Sequence, residues 1–484
     1  MGENTSNLPL RPKANSHDQF LALGGELKSH FLSEPGYRNL NHGMSSSTQC
    51  QYLAVDPSIT PSPGSFGTIP RVIQAKMREY QDQAEARPDH FIRYDSGRLL
   101  DESRAAVAEL LHAPTDTVVL VSNATVGVNT VLRNLVWAAD GRDEILHFDT
   151  IYGGCANTVT HIVESQPDGR LAARPIRTRY PCSTADVLAS LAAAIQASKD
   201  AGKRPALCLF DVVTSIPGVR FPFEAVTAAC RDAGMLSLID GAQGVGMVPL
   251  DLAALDPDFF VTNCHKWLHV PRGCAALYVP RRNQPLIRST MPTSHGLVPL
   301  GDAATPHLSG LAPTGKPPFV NNFEFVGTVD NAPYYCVRDA IAWRRDVLGG
   351  EERIVEYQRE LARTGGRRVA EILGTEVMEN EQGTLIDHAM VNVSLPLVIV
   401  AGEDSEGAGG ERTDLSVPAD EAAAAALWME KVSGEYKTWL RVYLYQGRLW
   451  TRLSAQVYLD EEDFVFAGET LKDLCERVGR GEYK

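Results

Sequence analysis

"MLSLIDGAQGVGMVPLDLAALDPDFFVTNCHKWL", residues 235–268, contains two short apolar runs that each end in a polar cluster. The first run, MLSLIDGA (235–242), closes on Asp240. The second, DFFVTNCHK (258–266), closes on Asn263, His265 and Lys266. Apolar runs of this length, bounded by turn residues, read as strands buried on both faces. The same pattern recurs upstream in TVVLVSN (117–123), DEILHFDT (143–150) and PALCLFDVV (205–213). Helical stretches fall between them: VGVNTVLRNLVWAA (126–139), TADVLASLAAAIQASKDAG (184–202) and EAVTAACRDAG (224–234). Strands that alternate with helices predict an α/β domain, a large and mostly parallel sheet covered by helices. Such sheets bind ligands beyond the carboxyl ends of their strands.

Further out, residues 70–112 read as helices broken at Pro88. After about residue 334 the pattern changes. A long polar helix, EERIVEYQRELARTGGRRVAEILG (351–374), precedes shorter strands such as AMVNVSLPLVIV (389–400), and an acidic, Gly-rich loop occupies 401–414. The expected organisation is therefore an arm over 1–64, a large ligand-binding domain over 65–333 and a smaller α+β domain over 334–484.

The arm contains NHGMSSSTQCQYLAVDPSITPSPGSFGTIP, residues 41–70. Its centre has no helical or strand period. Gly43-Met44-Ser45 can be encoded with an intron-start sequence and Pro63-Gly64 with an intron end, and excision of 44–64 keeps the frame. The 21 residues 44–64 are read as translated intron sequence inside one loop, NHG–SFGTIP, in preference to a genuine loop insertion, which remains the alternative.

Bulk properties narrow the function. The chain has 484 residues, 44% of them hydrophobic, enough for a large core. A net charge of −14 disfavours nucleic-acid and anionic-membrane surfaces. The nine cysteines are scattered and form no CxxC, which suggests reduced thiols of a cytoplasmic protein, without a metal site. No apolar run has membrane-spanning length, and MGENTS at the start is taken as a polar tail that matches an acylation pattern by chance.

The polar residues at the strand ends describe one ligand. The small-residue turn Asn123-Ala124-Thr125 opens a helix and offers N–H groups to a phosphate. A buried Asp240 can pair with a protonated ring nitrogen. Lys266, in the same crevice, can form a Schiff base. These are the parts that pyridoxal 5'-phosphate requires.

Asp240, Gln243 and Lys266 stand 3 and 23 residues apart. In this spacing, and in FEFVGT (323–328) and TRLSAQVYL (451–459), the chain resembles class V aminotransferases. That group includes cysteine desulfurases and isopenicillin-N-epimerase-like proteins. The resemblance runs from about Tyr37 to the C-terminus and implies an aspartate-aminotransferase-like fold and a homodimer.

The resemblance also implies roles. Lys266 would hold the cofactor and act as base at the substrate Cα. Gln243 would bind the ring hydroxyl oxygen. Ala124 and Thr125 would bind phosphate, helped by His265 and by Asn263, which replaces the usual Ser. Thr328 would reach the phosphate of the neighbouring subunit. Arg452 would hold the substrate carboxylate. Tyr152, where most relatives have His, would stack on the cofactor and protonate a leaving group. Asn41 and His42 would lie in the substrate-side loop. Arg93 is a further substrate candidate, with a structural salt bridge as its alternative.

The segment SGEYKTWLRVYLYQGRLW (433–450) lacks the cysteine that a desulfurase uses. Stretches such as YRNLNHG, EARPDHFIRY, NCHKWL and PTSHG resemble the C–S lyases of fungal ergothioneine biosynthesis. That implies β-elimination from a small amino-acid substrate, a cysteine-conjugate sulfoxide. The alternatives are an epimerase or another β-lyase on the same scaffold, or a catalytically silent binding or scaffold protein.

Overall fold

A computed structural model describes residues 20–41, 66–297, 315–400 and 415–484. His42, the 44–64 segment and the 401–414 loop lie outside the described residues. The chain divides into two compact units, one built from Gly67–Val213 and Phe221–Glu351, the other from 21–41, Thr214–Arg220 and Glu352–Lys484.

The first unit is organised by a seven-stranded sheet. Its strands are β1 (Val118–Val121), β2 (Asp143–Phe148), β3 (Leu171–Ile176), β4 (Arg204–Asp211), β5 (Leu236–Asp240), β6 (Phe259–Asn263) and β7 (Ala275–Tyr278). Their spatial order is β1-β7-β6-β5-β4-β2-β3. Only β7 runs against its neighbours. Every residue of β1 and β6 is buried, as two covered faces require. The sheet is thus the mostly parallel, helix-covered one expected from the strand-helix alternation.

Two strands escaped the sequence pattern. β3 is an edge strand of mixed exposure and carries Pro175, which an edge position tolerates. β7 has four residues, too few to show a period. The helix after β1 stops at Asn134, short of the expected 139. The Asn134 amide is held by backbone groups of Arg288 and Ser289 at 2.8–2.9 Å, and the chain turns away there. Val136 is left 95% exposed. Pro88 marks a helix boundary as expected: one helix spans Arg71–Ala86 and the next begins at Pro88.

The expected boundary at 333/334 differs from the division at 351/352. The helix Ala332–Asp346 packs on the first unit's helices. Tyr335 lies 2.7 Å from Ser96 through their hydroxyls, and the Tyr80 hydroxyl donates to Asp339 at 2.7 Å.

The second unit has an antiparallel sheet ordered β11-β12-β8, from β8 (Met390–Ser394), β11 (Arg441–Tyr445) and β12 (Arg448–Ser454). β9 (Val398–Val400) and β10 (Ser416–Pro418) form a separate parallel pair. The helix Glu461–Gly479 starts with a reciprocal cap between Asp460 and Asp463. Residues 21–41, expected as part of a polar arm, are tied into this unit: Gly24 N–H donates to Val457 O at 2.8 Å, and Lys28 pairs with Asp463 at 2.7 Å.

Candidate active site

The parallel strands bring their carboxyl ends to one edge of the sheet. β5 ends on Asp240 and β6 on Asn263, and a single helical turn, Cys264–Trp267, follows β6. Asp240 is 2% exposed and Lys266 4%. Asp240 accepts from Ala242 N–H at 2.9 Å and from the Cys155 thiol at 3.2 Å. The charge of Lys266 is felt by His265, Cys155 and Asp211, which places these groups in one buried cluster.

Gln243 is oriented by the residue after Lys266. The Trp267 indole N–H can only donate, and it donates to Gln243 Oε1 at 2.7 Å. That leaves Gln243 Nε2 as a buried donor with no partner among the described residues. A buried donor in this state costs stability unless a ligand takes it up.

Asn123 and Asn263 organise the helix N-terminus at Ala124–Asn134. The Asn123 side chain accepts from Val126 N–H at 2.9 Å. Asn263 Oδ1 accepts from Ala124 N–H at 2.8 Å, so this expected phosphate donor is engaged within the protein. Thr125 N–H has no partner among the described residues and is the group open to an anion. Gly127 lets this helix lie close to β6, because a Cβ there would come 2.5 Å from Val261. His265 Nδ1 lies 2.8 Å from the Cys274 carbonyl, which can only accept, so Nδ1 carries the hydrogen. Burial, and next the Lys266 charge, push the His265 ring down to about 4. The ring is therefore neutral, and a phosphate dianion at Nε2 would draw a second proton onto it. The unpartnered Gln243 amide, the open Thr125 N–H, the buried Asp240 and Lys266 together fit pyridoxal phosphate.

Tyr152 precedes the helix Gly153–Glu164 and is half-buried. Gly67, from SFGTIP, has φ +72° and would bring a Cβ to 2.4 Å from the His265 carbonyl. The Arg272 guanidinium donates to Gly67 O at 3.0 Å. The downstream half of the interrupted loop is thus seated against the turn that carries Lys266. Thr328, expected to reach the neighbouring subunit, is exposed, and Arg93 is an exposed side chain 3.6 Å from Asp89, the salt bridge given as its alternative.

Arg452 and Asn41 meet in the second unit. Arg452 is fully buried on β12. It donates to Asn41 Oδ1 at 2.6 Å and to Ser215 O at 3.1 Å. Arg452 Nε and Asn41 Nδ2 are buried without partners among the described residues. Burial, and next the charge of Arg441 directly across the strand pair, push the Arg452 guanidinium down to about 9. Arg441 is paired with Glu430, whereas no carboxylate is paired with Arg452 among the described residues. An anion suits this site.

Four residues had not been singled out in the sequence. Trp267 orients Gln243, Cys155 donates to Asp240, and Asp211 ends β4 beside Asp240. Arg344, wholly buried, binds Glu351 through two nitrogens at 2.5 and 2.6 Å and donates to Trp267 O at 2.7 Å, bracing the Lys266 turn. A tryptophan beside the lysine was a usable signal, because a buried indole needs an acceptor. Arg344 lies 78 residues beyond Lys266 and carried none.

Comparison with known proteins agrees with this geometry. The chain is 36% identical over 471 residues to the L-cysteine desulfhydrase-like protein lolT1 of Epichloe uncinata, covering 95% of this chain and 97% of that protein. It is 29% identical over 452 residues to hercynylcysteine sulfoxide lyase of Schizosaccharomyces pombe, covering 93% and 98%. A solved complex of the cystine C–S lyase C-DES with cysteine persulfide shares the fold, with a TM-score of 0.62 at 20% identity over 84% of this chain and 95% of that one. The family model described as Aminotransferase class-V matches residues 62–398. That span holds Asp240 at the end of β5 and Thr125, Gln243 and Lys266 in the turns and helices that follow strands, and the chain belongs to the class-V aminotransferase family of pyridoxal-phosphate enzymes.

Proposed function

We propose that this pyridoxal-phosphate-dependent carbon–sulfur lyase cleaves a cysteine-conjugate sulfoxide, hercynylcysteine sulfoxide, by β-elimination. The observation that carries this reading is end-to-end similarity to a hercynylcysteine sulfoxide lyase, over 98% of that protein. When bound, the cofactor supplies an electron sink for the charge left at the substrate Cα. Asp240 holds the ring nitrogen and Gln243 Nε2 the ring hydroxyl oxygen. Thr125 N–H binds the phosphate, with Ala124, Asn263 and His265 shaping its site and Thr328 arriving from the second copy of a homodimer. Arg452, held by Asn41, takes the substrate carboxylate; His42 and Arg93 remain the weaker substrate contacts.

The Lys266 amine removes the Cα proton. The Cβ–S bond then breaks and its electron pair leaves with sulfur, as a sulfenate that Tyr152 protonates. The released aminoacrylate hydrolyses to pyruvate and ammonia, and two equivalents of an external thiol reduce the sulfenic acid to the thiol, leaving a disulfide and water. Cysteine chemistry supports elimination over persulfide transfer. None of the eight described cysteines forms a disulfide, and seven are buried. Burial, and next Asp186, push the half-buried Cys182 thiol up to about 11, which leaves it a poor nucleophile at neutral pH.

A second substrate, free L-cysteine, is favoured by the 36% identity to a desulfhydrase-like protein. One assay separates the two. The purified enzyme is given each substrate, and pyruvate and the sulfur product are measured. Pyruvate from the sulfoxide at a higher kcat/KM than from L-cysteine supports the proposal. Sulfide from L-cysteine as the dominant product overturns it, and substrate inversion without pyruvate would indicate an epimerase.

A further inference from the structure

Asp211 has no assigned role, yet it ends β4 in register with Asp240 at the end of β5. Parallel neighbours lie about 4.8 Å apart, and paired residues present their side chains to the same face. Val212 N–H donates to Asp240 O at 3.0 Å, which holds the register to the last pair. Asp211 is 5% exposed. Two carboxyl groups therefore stand side by side in a buried site.

Their surroundings differ. Asp240 receives the Ala242 N–H and the Cys155 thiol, one on each oxygen. Asp211 Oδ2 is buried and has no donor among the described residues. A desolvated carboxylate oxygen without a donor is costly, and a second negative charge alongside it adds repulsion. Burial, and next the Asp240 charge, drive the Asp211 carboxyl well above the usual carboxylate range, with Lys266 pulling it back. The groups facing it are Asp240 from β5, Lys266 from the Cys264–Trp267 turn and Cys155 from the helix Gly153–Glu164. Burial, and next the Asp240 charge and hydrogen bond, hold the Cys155 thiol in its neutral form.

We propose that Asp211 and Asp240 form an acid pair with one proton, carried by Asp211, and that this arrangement keeps the negative charge on Asp240 for the ring nitrogen of pyridoxal phosphate. Asp211 is thus a positioning residue that acts through Asp240. Environments that push two neighbouring carboxyls apart are how proteins divide acid from base. The inference rests on the reading of Asp240 as partner of the ring nitrogen.

Infrared spectroscopy of the pyridoxal-phosphate-loaded protein at neutral pH tests the proton directly. The expected spectrum contains the C=O stretch of a buried carboxylic acid. The band shifts when aspartate is labelled with carbon-13 at its side-chain carboxyl, and it is lost in Asp211→Asn. The absence of such a band, or its persistence in Asp211→Asn, overturns the acid pair. The isotope arm assigns the band to an aspartic acid, and other buried aspartates such as Asp149 and Asp463 are also raised. Where Asp211→Asn fails to fold, Asp211→Glu replaces it: the band should then lose its sensitivity to labelled aspartate, and an unchanged label shift overturns the pair.

Thermal midpoints give a second readout. A raised carboxyl stabilises the fold fully below its unfolded value and loses that contribution as pH rises toward its folded value. The midpoint of Asp211→Asn, relative to wild type, should rise as pH climbs above the unfolded aspartate value of about 3.9; a flat difference argues for an ionised Asp211 and overturns the pair. Cofactor retention isolates the underlying assignment. Asp211→Asn should retain pyridoxal phosphate with unchanged affinity, whereas Asp240→Asn should lose about 10- to 100-fold. Unchanged retention in Asp240→Asn overturns the ring-nitrogen role, while the infrared band still judges the acid pair independently.

Discussion

The two units build their polar sites in different ways. In the first unit, each candidate residue lies on a strand end or within a few residues after it. Asp240, Gln243 and Lys266 fall within 27 consecutive residues, and the sheet brings Asn123 to the same edge. In the second unit, Arg452 takes its partners from Asn41 and Ser215, which are 411 and 237 residues away in sequence. The first site follows from a local rule repeated strand by strand. The second is assembled from segments that share no local pattern. The first presents a directional set of partners, with Gln243 Nε2 and Thr125 N–H open to the cofactor. The second presents one buried cation whose remaining donor awaits an anion.

If this division is also one of labour, the strongest test is at Lys266. Lys266→Ala should lower kcat by about 10⁴-fold, measured as pyruvate release, because it removes the base at Cα. Borohydride should no longer trap the cofactor on the chain. Retention of full activity would remove the first site from the chemistry.

Arg452→Leu should behave differently. It should raise KM about 100-fold while leaving cofactor affinity intact, since it removes a charged partner of the carboxylate. Loss of the cofactor in this variant would break the comparison. Asn41→Ala should act in the same direction at about 10-fold, by freeing one hydrogen bond on the guanidinium. A change in kcat at constant KM would contradict that role.

Each unit also holds a buried histidine, which sharpens the comparison in acid. His265 is pushed down to about 4 by burial and Lys266, and His388 to about 3 by burial and then Arg220. A lowered histidine contributes stability that is present above its unfolded value, about 6.5. This contribution is lost as pH falls toward the folded values. His388→Gln should therefore flatten the thermal-stability profile between about pH 6.5 and about pH 4 by the slope of one proton, about 1.4 kcal/mol per pH unit. An unchanged slope would mean that His388 is not neutral in the fold.

The smallest expected effect is deletion of 44–64. The described residues on either side of it are seated on candidate site residues, Asn41 on Arg452 and Gly67 on the Lys266 turn. Shortening a loop changes closure entropy by about 1 kcal/mol or less. The deleted protein should keep its melting temperature and show a kcat/KM at or above that of the full chain. Transcript sequencing addresses the origin of the segment: reads that span it with no spliced form refute the intron reading.

Much of the first unit was legible because its signals are local. Buried parallel strands need apolar side chains on both faces, so β4, β5 and β6 stood out as runs, and the residues that ended them marked the ligand edge. β3 and β7 did not stand out, one diluted by an exposed edge and the other only four residues long. The helix after β1 ended early because Asn134 is captured from 154–155 residues away, a contact that no helical period reveals. Ala124 illustrates the same limit within the site. The sequence placed it at a helix start suited to phosphate, and the fold spent its N–H on Asn263.

The alternation of strands and helices around β1, β2, β4, β5 and β6, the residues at those strand ends and the spacing of Asp240, Gln243 and Lys266 were determined by sequence alone, because burial and turn chemistry act over a few residues. The tertiary structure alone decided which carboxyl sits beside Asp240, which way Gln243 points, what braces the Lys266 turn and what holds Arg452. These depend on pairs brought together across the chain, where the burial of one polar atom is compensated by a partner that no local pattern names.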